Sequence, residues 1–156
     1  MQILSRRGVG NVANVIVQHN ELKELVVKKL TKAGLSKEHA SVVADVLVHA
    51  DLRGVSSHGV LRTEHYVKRI TEGGLNPNPK FSVIETGPCS AIFDGDDGMG
   101  HVITKEAMDY AIELADKKGI GMLTVVNSSH CGALSYFVEQ AAQKNKIGIV
   151  MTHTDK

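Results

Sequence analysis

The sequence predicts an α/β protein, with three short helices first and a mixed α/β sheet region after them. Three observations carry this. Apolar residues recur at helical spacing from Leu22 to about residue 72. Asn76-Pro77-Asn78-Pro79 then interrupts the pattern. Beyond it, short β-branched runs alternate with a segment of helical length, the strand–helix–strand pattern of parallel pairing.

Each element follows from its own residues. Asn20 is the expected N-cap of the first helix, whose apolar stripe is Leu22, Leu25, Val26 and Leu30. Gly34 is placed to end that helix. Ser36 caps the second, with Ala40, Val43, Ala44, Leu47 and Val48 on the buried face and Gly54 at its end. A third helix is expected from the Ser57-His58-Gly59 turn to about residue 72, before Gly73-Gly74. Residues 81–84 and 91–93 read as strands separated by Gly87-Pro88. The glycine- and aspartate-rich run 95–100 reads as a loop opening a helix over about 102–117, closed by Gly119. Residues 122–126 form an apolar strand, 133–143 a helix, and 147–152 a further strand. The expected organisation is an extension without regular structure at 1–19, a helical segment at 20–75 and an α/β region at 76–156. The first twenty residues carry Arg6 and Arg7 and no acid, a composition shared with transit peptides, and upstream sequence read from too early a start codon is one account of them.

Composition narrows the function classes. A chain of 156 residues suits a single domain with a real core. A formal charge of +1, no tryptophan and 4% aromatic residues argue against a nucleic-acid partner. No apolar run approaches the roughly 20 residues of a membrane span. Cys89 and Cys131 stand far apart, so neither a disulfide framework nor a thiolate metal site is indicated, and a reducing cytoplasm is the expected location. The eight histidines show no pair at metal-ligand spacing, so no metal is expected.

Two stretches bear chemistry. Ser57, His58, Arg62 and Tyr66 gather a hydroxyl, an imidazole, a guanidinium and a phenol within ten residues. Arg62 and Tyr66, four apart, share one helix face, and Arg62 suits a carboxylate gripped by two parallel hydrogen bonds. A capped surface helix explains the same spacing equally well. The second stretch, Asn127-Ser128-Ser129-His130-Cys131-Gly132, lies in the loop after a strand, where open α/β sheets bind ligands. A nearby helix N-terminus would keep His130 neutral and able to accept a proton, although a loop histidine bonded to its own backbone also fits. The glycines at 95, 98 and 100 do not complete a dinucleotide fingerprint, and Asp94, Asp96 and Asp97 would repel a pyrophosphate. Cys131 beside His130 lacks a third orienting group for nucleophilic catalysis.

Arg53-Gly54-Val55-Ser56-Ser57-His58-Gly59, Arg62 and Tyr66, taken with Asn127-Ser128-Ser129-His130 and Gly132-Ala133, resemble the malate/L-lactate dehydrogenase family that lacks a Rossmann domain. Glu85-Thr86-Gly87-Pro88-Cys89-Ser90-Ala91 and Leu134-Ser135-Tyr136-Phe137 most resemble its ureidoglycolate-oxidising branch. The resemblance implies hydride transfer to NAD, or to NADP, from a 2-hydroxy acid. For ureidoglycolate the product would be oxalurate, in allantoin degradation; malate, lactate and other 2-oxo acids are the alternatives. It implies His130 as the catalytic acid/base, Ser57, His58, Arg62 and Tyr66 around the substrate, and Thr154 as a loose match to a cofactor contact. It also implies a homodimer and an unusual mixed sheet. Family members are more than twice this length, so the expectation is a C-terminally truncated member, incomplete relative to the family fold and inactive alone. A non-catalytic fragment with a role in assembly is the other reading.

Overall fold

The computed structural model describes residues 2–5 and 15–153. Strands β1 (Gln2–Ser5) and β2 (Val15–Gln18) form an antiparallel ladder pairing Ile3 with Val17. These lie within the stretch expected to be an unstructured extension; residues 1 and 6–14 of that stretch, like Thr154, fall outside the described residues. Helix α1 (His19–Ala33) begins directly from β2, so Asn20 sits inside its first turn and is not the N-cap; Gln18 precedes it and makes no capping bond. Ser36 does cap α2 (Lys37–Leu52), its Oγ accepting the His39 N–H at 3.1 Å. Gly34 and Gly54, at φ 121° and 76°, end the two helices in a conformation that costs glycine least.

The third helix starts later than its spacing suggests. Two 3-10 turns, Ser56–His58 and Val60–Arg62, precede α3 (Thr63–Thr71). The cause is Asp51, whose carboxylate accepts the Val60 N–H at 2.8 Å. A Cβ on Gly59 would lie 2.0 Å from the Asp51 Oδ1, so the chain is drawn onto that carboxylate where no side chain intervenes.

Strands β3 (Ser82–Gly87) and β4 (Ser90–Gly98) form the expected hairpin, antiparallel with Val83 opposite Phe93. Residues 95–98, expected as loop, belong to β4. A bulge between Asp94 and Gly98 absorbs them, with Asp96 and Asp97 at φ 48° and 54°. Helix α4 (Gly100–Lys118) then crosses to β5 (Met122–Ser128), which pairs parallel with β4, Phe93 opposite Val125. The three-stranded sheet β3-β4-β5 is therefore mixed. Helix α5 (Ser135–Ala142) docks on α2 through Arg53–Glu139 and His49–Ser135 contacts. Residues 147–152 are not a strand. Ile147 and Met151 are 93% and 87% exposed, and no ladder partner lies beside them among the described residues. β-branched composition favours extended chain, but a strand exists only where another strand takes its hydrogen bonds.

Two packed regions meet on α4. Leu30, Val43, Ala44, Leu47, Tyr66 and Ile70 of the three helices enclose Met99 and Val102. Phe93, Ile103 and Ala107 pack against Leu123 and Val125 beneath the sheet. The start of α4 is thus fixed from both sides, and the candidate site is built around it.

Candidate active site

His130 meets Tyr66 across this junction. Tyr66 is 2% exposed, held in the helical core, and its Oη lies 2.8 Å from the His130 Nδ1. The ring of His58 stacks on His130 with centroids 5.4 Å apart. Ser57 Oγ lies 3.0 Å from the His58 Nδ1, and Arg62 Nε donates to the Ser57 carbonyl at 2.8 Å. That bond occupies one edge of the guanidinium and leaves its terminal nitrogens for an anion. The two sequence stretches therefore converge, with Ser57, His58, Arg62, Tyr66 and His130 in one cluster.

His130 is held below the ordinary imidazole range. Burial is the first cause, and the Arg62 cation and the His58 and His65 imidazoles add to it. Neutral His130 agrees with the sequence expectation, but the cause differs: α5 does not begin until Ser135, and burial beside a guanidinium does what the helix terminus was expected to do. Burial pushes Tyr66 up to about 12, so its phenol keeps its proton at neutral pH. Cys131 is likewise raised by burial, which leaves it a thiol and a poor nucleophile.

His101 and Asp51, assigned no role from the sequence, hold the cluster in place together with Asn127 and Gly132 of the His130 stretch. His101 is fully buried, edge-on to Tyr66 at 4.9 Å and 6.2 Å from His130 by ring centroids. Neither of its nitrogens has a partner among the described residues, and burial pushes it down to about 3. Its ring fits because Gly132 lacks a Cβ; one there would lie 2.7 Å from the His101 Nε2. Asn127, at φ 48°, donates from its amide to both Asp94 oxygens at 3.0 Å and latches the end of β5 to β4. Asp51 shapes the turn that presents His58. A histidine beside a glycine-rich turn, and an aspartate just ahead of Arg-Gly, were the available signals; neither is specific without a partner across the fold.

The start of α4 does not form a phosphate cradle. Its first N–H, from Gly100, donates to the Ser129 Oγ at 2.8 Å, and the Val102 and Ile103 N–H groups turn back to the Met99 carbonyl. A Cβ on Gly100 would meet the Ser129 carbonyl at 2.1 Å. The missing side chain lets the His130 loop sit against the helix, so the space a pyrophosphate would need is filled by the protein's own backbone. A groove of about 800 Å³ between α1 and α2, lined by Lys23, Val27, Lys28 and others, shares no residue with this cluster.

Comparison with known proteins identifies the family. Residues 17–156 match the model of the family described as malate/L-lactate dehydrogenase. The chain is 46% identical over 139 residues to ureidoglycolate dehydrogenase (NAD(+)) of Escherichia coli K12, covering 89% of this chain and 40% of that one. Its fold matches malate dehydrogenase from Pyrococcus horikoshii OT3 with a TM-score of 0.80 at 41% identity, over 91% of this chain and 40% of that one. For sulfolactate dehydrogenase from Methanocaldococcus jannaschii the TM-score is 0.81 at 36% identity, over 84% and 38%. The chain thus spans about 40% of the length of the relatives it matches. With the family match running over residues 17–156 and the fold shared with solved dehydrogenases, the chain belongs to the malate/L-lactate dehydrogenase family.

Proposed function

We propose that this chain carries the substrate-binding and proton-transfer side of a 2-hydroxy acid dehydrogenase whose substrate is ureidoglycolate. The observation that supports it most is the 2.8 Å contact between the Tyr66 Oη and the His130 Nδ1. With Nδ1–H donated to the phenol oxygen, the lone pair of neutral His130 is on Nε2, directed away from Tyr66. Arg62 binds the substrate carboxylate through its terminal nitrogens, and Ser57 and His58 border the hydroxyl. Nε2 then takes the hydroxyl proton, the hydride on the hydroxyl-bearing carbon being the part that nicotinamide would accept, and the phenol stabilises the imidazolium through its hydrogen bond. In the reverse direction the same imidazolium returns the proton.

Family membership brings nicotinamide as the redox partner, NAD by preference and NADP as the alternative. The start of α4 does not fit its pyrophosphate, and the roles given to these side chains are anion binding and proton transfer. A homodimer, a cytoplasmic location and a cofactor contact at Thr154 complete the reading and rest on the family relationship alone. Ureidoglycolate ranks ahead of malate or lactate on the Glu85–Ala91 and Leu134–Phe137 motifs, since by identity the E. coli relative bearing that name and malate dehydrogenase of Pyrococcus abyssi are level at 46%.

The test is a chimera in which residues 17–156 replace the matching part of that E. coli enzyme, assayed by NADH formation. Ureidoglycolate is expected to turn over faster than malate or lactate. His130→Ala should lower kcat by about 10²–10⁴-fold, the usual share of a general base. Arg62→Ala should chiefly raise KM. Unchanged turnover in His130→Ala refutes the proton-transfer role; preference for malate refutes the substrate while leaving the chemistry standing.

A further inference from the structure

We infer that the cavity at the carboxyl ends of β4 and β5 is a subsite for the uncharged, hydrogen-bonding end of the substrate. It accepts a ureido or amide group and turns away a second carboxylate or sulfonate. This rests on the dehydrogenase reading above and names the part of the substrate that lies beyond the reacting carbon.

The cavity is about 350 Å³, lined among others by Arg69, Leu75, Asn76, Asp97, Ser128 and Ser129. The last parallel pair is Gly98 with Ser128, so the cavity opens where the two strands end, the place where α/β sheets bind ligands. None of Ser57, His58, Arg62, Tyr66 and His130 lines it, and its link to the acid/base cluster runs along the chain in two elements. Ser129 directly precedes His130, and Arg69 stands one turn beyond Tyr66 on the same face of α3.

Most polar groups in and around it are already engaged. The Asn76 amide donates to Asp96, which also accepts the Lys80 N–H. Both Asp94 oxygens accept from Asn127. Ser129 Oγ donates to the Gly98 carbonyl and accepts from Gly100. Three groups keep capacity. The Asp97 carboxylate is exposed to solvent and has no hydrogen bond or ion pair with another of the described residues. Arg69 spends one terminal nitrogen on the Gly74 carbonyl at 3.0 Å and has the rest free. Ser128 makes one long bond, 3.3 Å, to the Ser129 carbonyl.

An ionised carboxylate accepts only, whereas a guanidinium donates only. A group meeting both needs N–H donors and a carbonyl acceptor within one small plane, which is what a ureido or primary amide offers. A carboxylate or sulfonate has no proton for Asp97 and meets its charge head-on, so Arg69 alone cannot make it welcome. Asp97 is held there by the bulge: its carbonyl accepts the Asn76 N–H at 2.9 Å, and it sits at φ 54°.

The experiment is ¹H–¹⁵N NMR titration of the 156-residue chain with ureidoacetate and with succinate. Each probe offers Arg62 one carboxylate, and they differ in the distal group. Ureidoacetate is expected to shift the signals of Arg62 together with those of Arg69, Asp97 and Ser128, and to bind at least 10-fold more tightly than succinate. Asp97→Asn keeps a residue tolerant of positive φ and removes the charge, and should shrink that preference about 10-fold; its own spectrum reports whether it folds. The subsite is wrong if ureidoacetate shifts Arg62 and His130 but not Asp97, Ser128 and Arg69, or if Asp97→Asn leaves the preference unchanged. If neither acid shifts Arg62 or His130, the dehydrogenase reading itself fails and the subsite falls with it.

Discussion

Replacing Tyr66 by phenylalanine removes one oxygen and leaves a ring that is 2% exposed in the helical core. Packing with Leu47 and Ile70 is kept, so global stability should change by no more than about 1 kcal/mol, the net worth of one hydrogen bond. The site loses more. The Oη bonds His130 Nδ1 at 2.8 Å, and without it a half-buried ring nitrogen is left without that partner. The bond it made to the imidazolium is a charged one worth about 1.5–3 kcal/mol, and at about 1.4 kcal/mol per factor of ten its loss predicts a fall in kcat of roughly 10- to 100-fold. The pH profile should move as well. His130 acts as a base only when neutral, so kcat/KM rises with pH through its pKa, which burial and Arg62 already hold below 6.5. The phenol oxygen stabilises the imidazolium, and its removal lowers that pKa further. The acid limb of Tyr66→Phe should therefore lie at lower pH than that of the parent, beneath a reduced plateau. Steady-state kinetics of the chimera from pH 4.5 to 9 would show both effects. Full kcat with an unmoved acid limb would refute the coupling of Tyr66 to His130.

His101 should make the fold acid-sensitive. Burial places its folded pKa at about 3 against an ordinary 6.5, so below 6.5 the unfolded chain binds the extra proton. Stability is complete above 6.5 and is lost as pH falls from there toward 3, at no more than about 1.4 kcal/mol per pH unit from this group. Denaturant midpoints of His101→Phe measured against pH should flatten over that range, and an unchanged slope would exclude His101 as the cause. Gly100→Ala should displace the His130 loop, since the new Cβ meets the Ser129 carbonyl at 2.1 Å; a loss of about 1–3 kcal/mol and of most turnover is expected. Gly119→Ala is its control. At φ 85° with open space around it, it should cost about 1–2 kcal/mol in thermal or chemical unfolding and leave kcat intact.

Local chemistry determined much of this protein from the sequence by itself. The Ser36 cap, the glycine stops at 34, 54 and 119 and the β3–β4 hairpin follow from side chains within a few residues of each other. So does the clustering of Ser57, His58, Arg62 and Tyr66, and the resemblance that led to the family was carried by contiguous motifs. Tertiary structure decided whatever depends on a partner distant in the chain. Asp51 broke the start of α3, nine residues ahead of Val60. The bulge at 94–98 exists because β5 pairs on both sides of it. Residues 147–152 have strand composition but no ladder to join. Above all, Tyr66 and His130 are separated by 64 residues, and only the fold puts the phenol on the imidazole. Spacing along the chain reports neighbours on one element, whereas burial, tautomer and pKa are properties of what other elements bring alongside.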